Sequence, residues 1–240
     1  MRARVRPCPA DPPSALPGRG ECHVWVIDLD RPPLPAGVLT GLLTDDERAR
    51  AVRYKVGAVR DQFTLSRGTL RRLLGGYLNL APERVPLSTE ASGKPVLVCG
   101  SLHFNLTHTP GLAVVAVAPV RVGVDAEKRR DIPDADGLVR RFFSPAEREA
   151  YHALPTDRRP DGFYRGWVCK EAVIKAAGAT MHALDQFDVE IDPGRPAAVL
   201  AARHPQLAGC GWAVADWCPG PGYAAAVAVE GERVELERGA

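Results

Sequence analysis

Lysine is scarce in this chain. Of 31 basic residues, all but Lys55, Lys94, Lys128, Lys170 and Lys175 are arginines, so each lysine marks a position where a compact ammonium replaces the prevailing guanidinium. The six cysteines (Cys8, Cys22, Cys99, Cys169, Cys210 and Cys218) form no C-x-x-C pair and show no metal-ligand spacing, which favours reduced thiols over a zinc or disulfide framework. Long apolar runs are missing too: no segment approaches the roughly 20 residues of a membrane-spanning helix. Arg2, Arg4 and Arg6 lead into proline-rich polar sequence, not into the apolar stretch of a signal peptide. Neither sign of charge is in excess, with 31 basic residues against 29 acidic ones, so a general basic surface for nucleic acid is excluded. These absences lead us to expect a cytoplasmic protein that engages neither nucleic acid nor membrane.

What is present suffices for a globular fold: 240 residues, of which 45% are apolar, can bury a real core. Residues 1–21, with five prolines and little apolar content, read as a flexible lead-in. CHVWVIDL (22–29) alternates like a strand. Thr44 caps a helix whose first turn is acidic and whose apolar stripe runs through Phe63, Leu70, Leu73 and Leu74, with Arg60, Arg67, Arg71 and Arg72 read as a solvated face. GKPVLV (93–98), LHFNL (102–106) and LAVVAVAPVRVGVD (112–125) read as strands, the last so apolar that it must be buried. The second half follows the same order: helices over 145–154 and 163–177, then strands at 187–191, 211–217 and 223–229. This predicts an α+β protein of two similar subdomains, 22–120 and 121–229, with a charged, loose tail at 230–240.

Three segments carry chemistry. In VGVDAEK (122–128), strand alternation points Asp125 and Glu127 the same way with Ala126 opposite, and two carboxylates on one face need a counter-charge. In WVCKEAVIKAAG (167–178), helical spacing brings Glu171 and Lys175 together and Gly178 stops the helix. In FNLTHT (104–109), Thr107 and His108 sit at a strand end, and Lys94 lies in SGKP at the start of another. Taken singly, these are a solvated acid pair, a surface ion pair and a structural histidine.

In order, GKP, FNLTH, VGVDAE and WVCKEAVIK resemble the motifs of the 4′-phosphopantetheinyl transferase superfamily in its long, single-chain, Sfp-type branch, and RRFFSPAERE (140–149) and LDQFDVEI (184–191) agree. The resemblance implies a fold of two α+β subdomains about a pseudo-twofold axis, with the site in the cleft between them. It implies transfer of the phosphopantetheine arm of coenzyme A to a serine of an acyl or peptidyl carrier protein of fatty-acid, polyketide or nonribosomal peptide synthesis, with release of 3′,5′-ADP. By the same resemblance Asp125, Glu127 and Glu171 are ligands of Mg2+ (or Mn2+), while Asp125, Glu171 and Lys175 are catalytic, Glu171 taking the serine proton directly or through water. Lys94, Thr107, His108, Arg48, Arg60, Lys170 and Lys175 contact coenzyme A. The acidic carrier is expected to dock near 142–165, where Phe142, Phe143, Tyr151, Phe163 and Tyr164 lie. The branch is typically monomeric. Thr107 stands where many members have Ser, Val168 where a smaller residue is usual, and ATMHALDQF follows Gly178 where a Gly-Leu is common, which leaves substrate breadth open. Two other classes compete: a non-catalytic module that keeps only coenzyme A affinity, against which the three retained carboxylates speak, and a Mg2+-dependent nucleotide phosphohydrolase, which does not require the whole motif order.

Overall fold

The computed structural model describes residues 1–90, 94–98 and 102–238; Ser92 and Gly93 of SGKP and Cys99 lie outside these. In the first part of the chain come β1 (Arg2–Pro7), β2 (Glu21–Asp28), α1 (Ala36–Gly41), α2 (Asp45–Val52), α3 (Gly57–Leu78), β3 (Leu87–Thr89), β4 (Pro95–Leu97), β5 (His103–Thr109) and β6 (Leu112–Ala118). The rest holds β7 (Val122–Lys128), α4 (Ala135–Phe142), α5 (Pro145–Ala153), α6 (Arg159–Ala177), β8 (Phe187–Val189), β9 (Val199–Ala202), α7 (Pro205–Ala208), β10 (Trp212–Trp217), β11 (Tyr223–Glu230) and β12 (Glu235–Arg238). The mixed α+β architecture is the one expected.

Two sheets carry the fold, ordered β12-β1-β2-β6-β5 and β10-β11-β7. Strand alternation sorts their side chains into layers. On β6, Ala113, Val115 and Val117 pack with Leu70, Leu73 and Leu74 of α3, while Val114 and Ala116 face the other sheet. On β11, Ala224, Ala226 and Ala228 lie under α6, and Ala225, Val227 and Val229 join Val122, Val124 and Ala126 of β7 between the sheets. The layers therefore run helix, sheet, sheet, helix. The alanines of β11 keep the helix side shallow, and α6 lies close.

The first seven residues differ from the flexible lead-in expected. They form β1, parallel to β2 and β12, because Ala3 and Val5 alternate inward while Arg4 reaches Glu21 at 2.7 Å. Residues 9 and 10 are tied down as well, since Arg72 donates to the carbonyls of Pro9 and Ala10. Arg71 and Arg72 are thus not on a solvated face: both are buried, and Arg71 donates to Glu47 and to the carbonyls of Pro82 and Val85. Part of the tail is ordered as β12. The helix opened by Thr44, a full capping box with Glu47, ends at Val52, and α3 begins separately at Gly57.

Lys170 is a second correction. Its ammonium is sealed in the core, donating to both Glu147 oxygens at 2.7 and 2.6 Å and to the Phe187 carbonyl at 2.8 Å. Glu147 also accepts from the backbone N–H groups of Ser144 and Val189. This saturated pair ties α6 to α5 and β8, so Lys170 does not face a phosphate.

Two stability predictions follow from this packing. Lys170→Ala strands the Glu147 carboxylate and is expected to destabilise by about 3–5 kcal/mol, read from urea unfolding. A Cβ at Gly123 would sit 2.1 Å from the Ala172 carbonyl and 2.3 Å from the Ala176 nitrogen, both backbone atoms of α6. Gly123→Val should therefore cost about 3 kcal/mol or more. An unchanged unfolding midpoint would show that the helix stands farther from the strand.

Candidate active site

Gly123 sets the geometry. With no side chain there, α6 crosses directly over β7, and the next two outward positions, Asp125 and Glu127, lie under its flank. Trp167, Glu171 and Lys175 recur at intervals of four along α6 and so share one face, and that face meets the carboxylates of β7. The strand and helix signatures, 40 residues apart in sequence, become one cluster.

Asp125 is 3% exposed and held in place by its neighbours. Lys175 donates to its Oδ1 at 2.5 Å, and the Thr107 hydroxyl donates to the same oxygen at 3.1 Å. Its Oδ2 is buried without a hydrogen-bond partner among the described residues. Burial pushes the Glu171 carboxyl up to about 7, with Asp125 and Glu127 adding repulsion and Lys175 opposing it. Glu127 is raised as well, by burial and then by Asp125, against the pull of Lys175 and of a hydrogen bond from Trp167. For Lys175, burial lowers the pKa, but the three carboxylates outweigh it, so its ammonium is held above the usual lysine value. One ammonium therefore faces three acidic side chains.

The first half approaches from β5 and β4. Thr107 faces β7, and Lys175 lies 3.4 Å from its hydroxyl. His108, next along the strand, points to the opposite face, the one that Phe104 and Leu106 bury against α3, and is itself exposed; partial desolvation and the charges of Lys175 and Arg67 keep its imidazole below the usual value. The Lys94 ammonium donates to the Lys175 carbonyl at 2.5 Å, bridging the halves at the end of α6, and burial lowers its pKa. Arg48 and Arg60 are elsewhere. Arg48 closes onto Asp45 and the Leu43 carbonyl, and the exposed Arg60 lies 3.5 Å from Asp61. The arginine of α3 whose charge is felt at His108 is Arg67, mostly buried, 3.7 Å from Glu47, with its Nε unpartnered among the described residues. The sequence pattern puts it on a solvated face, although its place one turn beyond Phe63 sets it at the border of the apolar stripe.

Two cavities flank the lysine bridge. One of about 250 Å³ is bordered by Lys94, Asn105, Lys175 and Ala179, and one of about 270 Å³ by Glu90, Lys94, His103, Arg121 and Gly178. On the far side of Glu127 a smaller cavity of about 130 Å³ is walled by Arg130, Ile132, Leu138 and Trp167. A cavity of about 540 Å³ lies at the sheet ends around Trp217 and Tyr223, away from these groups, with no lysine in its lining. Among the described residues no group of three or more His, Cys, Asp or Glu is placed to hold a metal ion by itself. A hard cation such as Mg2+, however, normally takes a few carboxylates and completes its shell with water and phosphate oxygens. The all-oxygen donor set and the orphaned Asp125 Oδ2 fit that mode. Of the expected docking aromatics, Phe143, Tyr151, Phe163 and Tyr164 are core, and Phe142 is partly covered against Trp167. Among the described residues no helix is long and apolar enough to cross a membrane.

The sequence model of the 4′-phosphopantetheinyl transferase superfamily matches residues 121–228, the half that carries β7 and α6. The 4′-phosphopantetheinyl transferase HetI of Nostoc sp. is 37% identical over 225 residues, covering 92% of this chain and 92% of its own. A 4′-phosphopantetheinyl transferase of Bacillus subtilis is 28% identical over 75% of this chain and 82% of its own, and psf-1 of Bacillus pumilus is 30% identical over 66% and 68%. This chain belongs to the 4′-phosphopantetheinyl transferase superfamily.

Proposed function

We propose that the chain moves the 4′-phosphopantetheine arm of coenzyme A onto the serine of an apo acyl or peptidyl carrier domain and releases 3′,5′-ADP. The observation that carries this reading is the convergence of Asp125, Glu127 and Glu171 with Lys175 at a cleft between the two halves, in a chain of this family. The halves are taken as subdomains 22–120 and 121–229 about a pseudo-twofold axis, and the protein as a cytoplasmic monomer.

In this reading Asp125, Glu127 and Glu171 hold a divalent cation, Mg2+ or Mn2+. Bound there, the cation neutralises charge on the pyrophosphate of coenzyme A. The chain's own residues do the rest. Lys175, kept protonated by its acidic neighbours, offers its ammonium to the leaving phosphate once the substrate competes for it. Lys94 and His108, with Arg67 behind, offer positive or donating groups to the other phosphates. The serine oxygen forms the new bond to phosphorus as the anhydride P–O bond breaks, and the electron pair leaves with 3′,5′-ADP. Glu171 takes the serine proton directly or through water. The carrier docks beyond Glu127, where Arg129, Arg130 and Arg159 rim a surface with Ile132 and Leu138 and suit an acidic partner.

Intact-mass measurement of apo acyl and peptidyl carrier domains, incubated with the protein, coenzyme A and Mg2+, is expected to show one phosphopantetheine added and none with EDTA. No gain on either carrier would overturn the reading. Asp125→Asn keeps the shape of the side chain but removes its charge and should lower kcat about 100-fold or more; wild-type activity would remove Asp125 from the site. Lys94→Ala should weaken coenzyme A binding by about 1–3 kcal/mol, seen by calorimetry, and an unchanged Kd would place the phosphates elsewhere.

A further inference from the structure

β5 and β7 are the facing edges of the two sheets, and among the described residues no backbone ladder joins them. An unladdered edge leaves backbone N–H groups that need acceptors. Side chains of β5 supply them. The Asn105 side-chain carbonyl accepts from the Val124 N–H at 2.9 Å, and the Thr109 hydroxyl accepts from the Lys128 N–H at 3.0 Å. Between them the Thr107 hydroxyl donates to Asp125. All three residues are buried and alternate along β5, so they share the face turned to β7. The two anchored amides bracket the Asp125–Glu127 stretch, one immediately before it and one immediately after.

We propose that Asn105 and Thr109 are positioning residues: they fix the β7 backbone at both ends of the acidic stretch and so set where Asp125 and Glu127 stand relative to Glu171 and Lys175. This rests on the reaction proposed above. On its other edge β7 is held by β11 in antiparallel register, and beyond Lys128 the chain leaves the sheet, so the Thr109 bond secures the end that carries Glu127. Neither side chain needs to touch the reacting atoms. Asn105 also borders the cavity beside Lys175, so its loss would mix positioning with substrate contact. Thr109 separates the two.

The test uses the full chain as wild type, Thr109→Val, which keeps the shape and removes the acceptor, and Thr109→Ser, which restores it. Thr109→Ala serves if the valine variant does not fold. Steady-state transfer to an apo carrier and hydrogen exchange at the Lys128 amide are measured on each. The expected result is a kcat lowered about 10- to 100-fold in Thr109→Val with an unchanged KM for coenzyme A, faster exchange at Lys128, and recovery of both in Thr109→Ser. Wild-type kcat in Thr109→Val, equal losses in the valine and serine variants, or a change confined to KM would each overturn the proposal while leaving the transferase reading intact. A wild-type protein that transfers nothing would overturn that reading, and the positioning role with it.

Discussion

The contact between α6 and β7 at Gly123 is the constraint on which the site depends. A helix normally stands off a sheet by the length of two side chains; here the strand contributes none at the crossing, and the helix backbone comes down onto it. The alanines of β11 continue the shallow surface next door. Glu171 and Lys175 thereby reach carboxylates that also project from β7. With a β-branched residue at the crossing, each group would remain in place on its own element but would no longer meet the others.

Two neighbouring residues of α6 show how the fold separates scaffold from site. Lys170 and Glu147 are both buried, and every group of the pair is satisfied: the ammonium by two carboxylate oxygens and a carbonyl, the carboxylate by that ammonium and two backbone N–H groups. Such a pair has nothing left to offer a ligand. One residue on, Glu171 is half-buried among like charges, and Asp125 keeps an oxygen without a partner. Leaving a buried carboxylate under-compensated costs stability, and a charged ligand entering the cleft offsets that cost. The imbalance, three acidic side chains to one ammonium, has the sign that a cation would offset.

The sequence carried much of this because its signals were local. Alternation placed Asp125 and Glu127 on one face, and helical spacing placed Glu171 beside Lys175. What it could not carry were side-chain partners drawn from distant segments. Lys170 reads as a phosphate contact or a support of its helix until Glu147, 23 positions away, is folded against it. Thr107 and His108, adjacent in sequence and read together, are sent to opposite faces by the same alternation that served for Asp125 and Glu127. The arginines of α3 divide similarly: Arg71 and Arg72 are drawn inward by carbonyls of loops that the helix pattern does not contain. At the N-terminus the prolines after Pro7 masked the two-residue period of Ala3 and Val5. Helices and apolar strands are written in their own residues, whereas the fate of a polar side chain is decided by acceptors that only the tertiary fold brings near.

The scarcity of lysine is accounted for on the same grounds. Lys94, Lys170 and Lys175 each place an ammonium within 2.8 Å of buried or half-buried oxygens: the Lys175 carbonyl, Glu147 with the Phe187 carbonyl, and Asp125. These are narrow places between a helix and a strand. A planar guanidinium would need a wider slot and would leave some of its five donors unpaired there. Arginine serves where loops offer several carbonyls around a broad plane, as for Arg71 and Arg72. An ammonium can also exchange partners without breaking a bidentate fork, which matters most at Lys175: in the proposed reaction its hold on Asp125 would yield to a substrate phosphate, and a point charge on a flexible stem can move between the two.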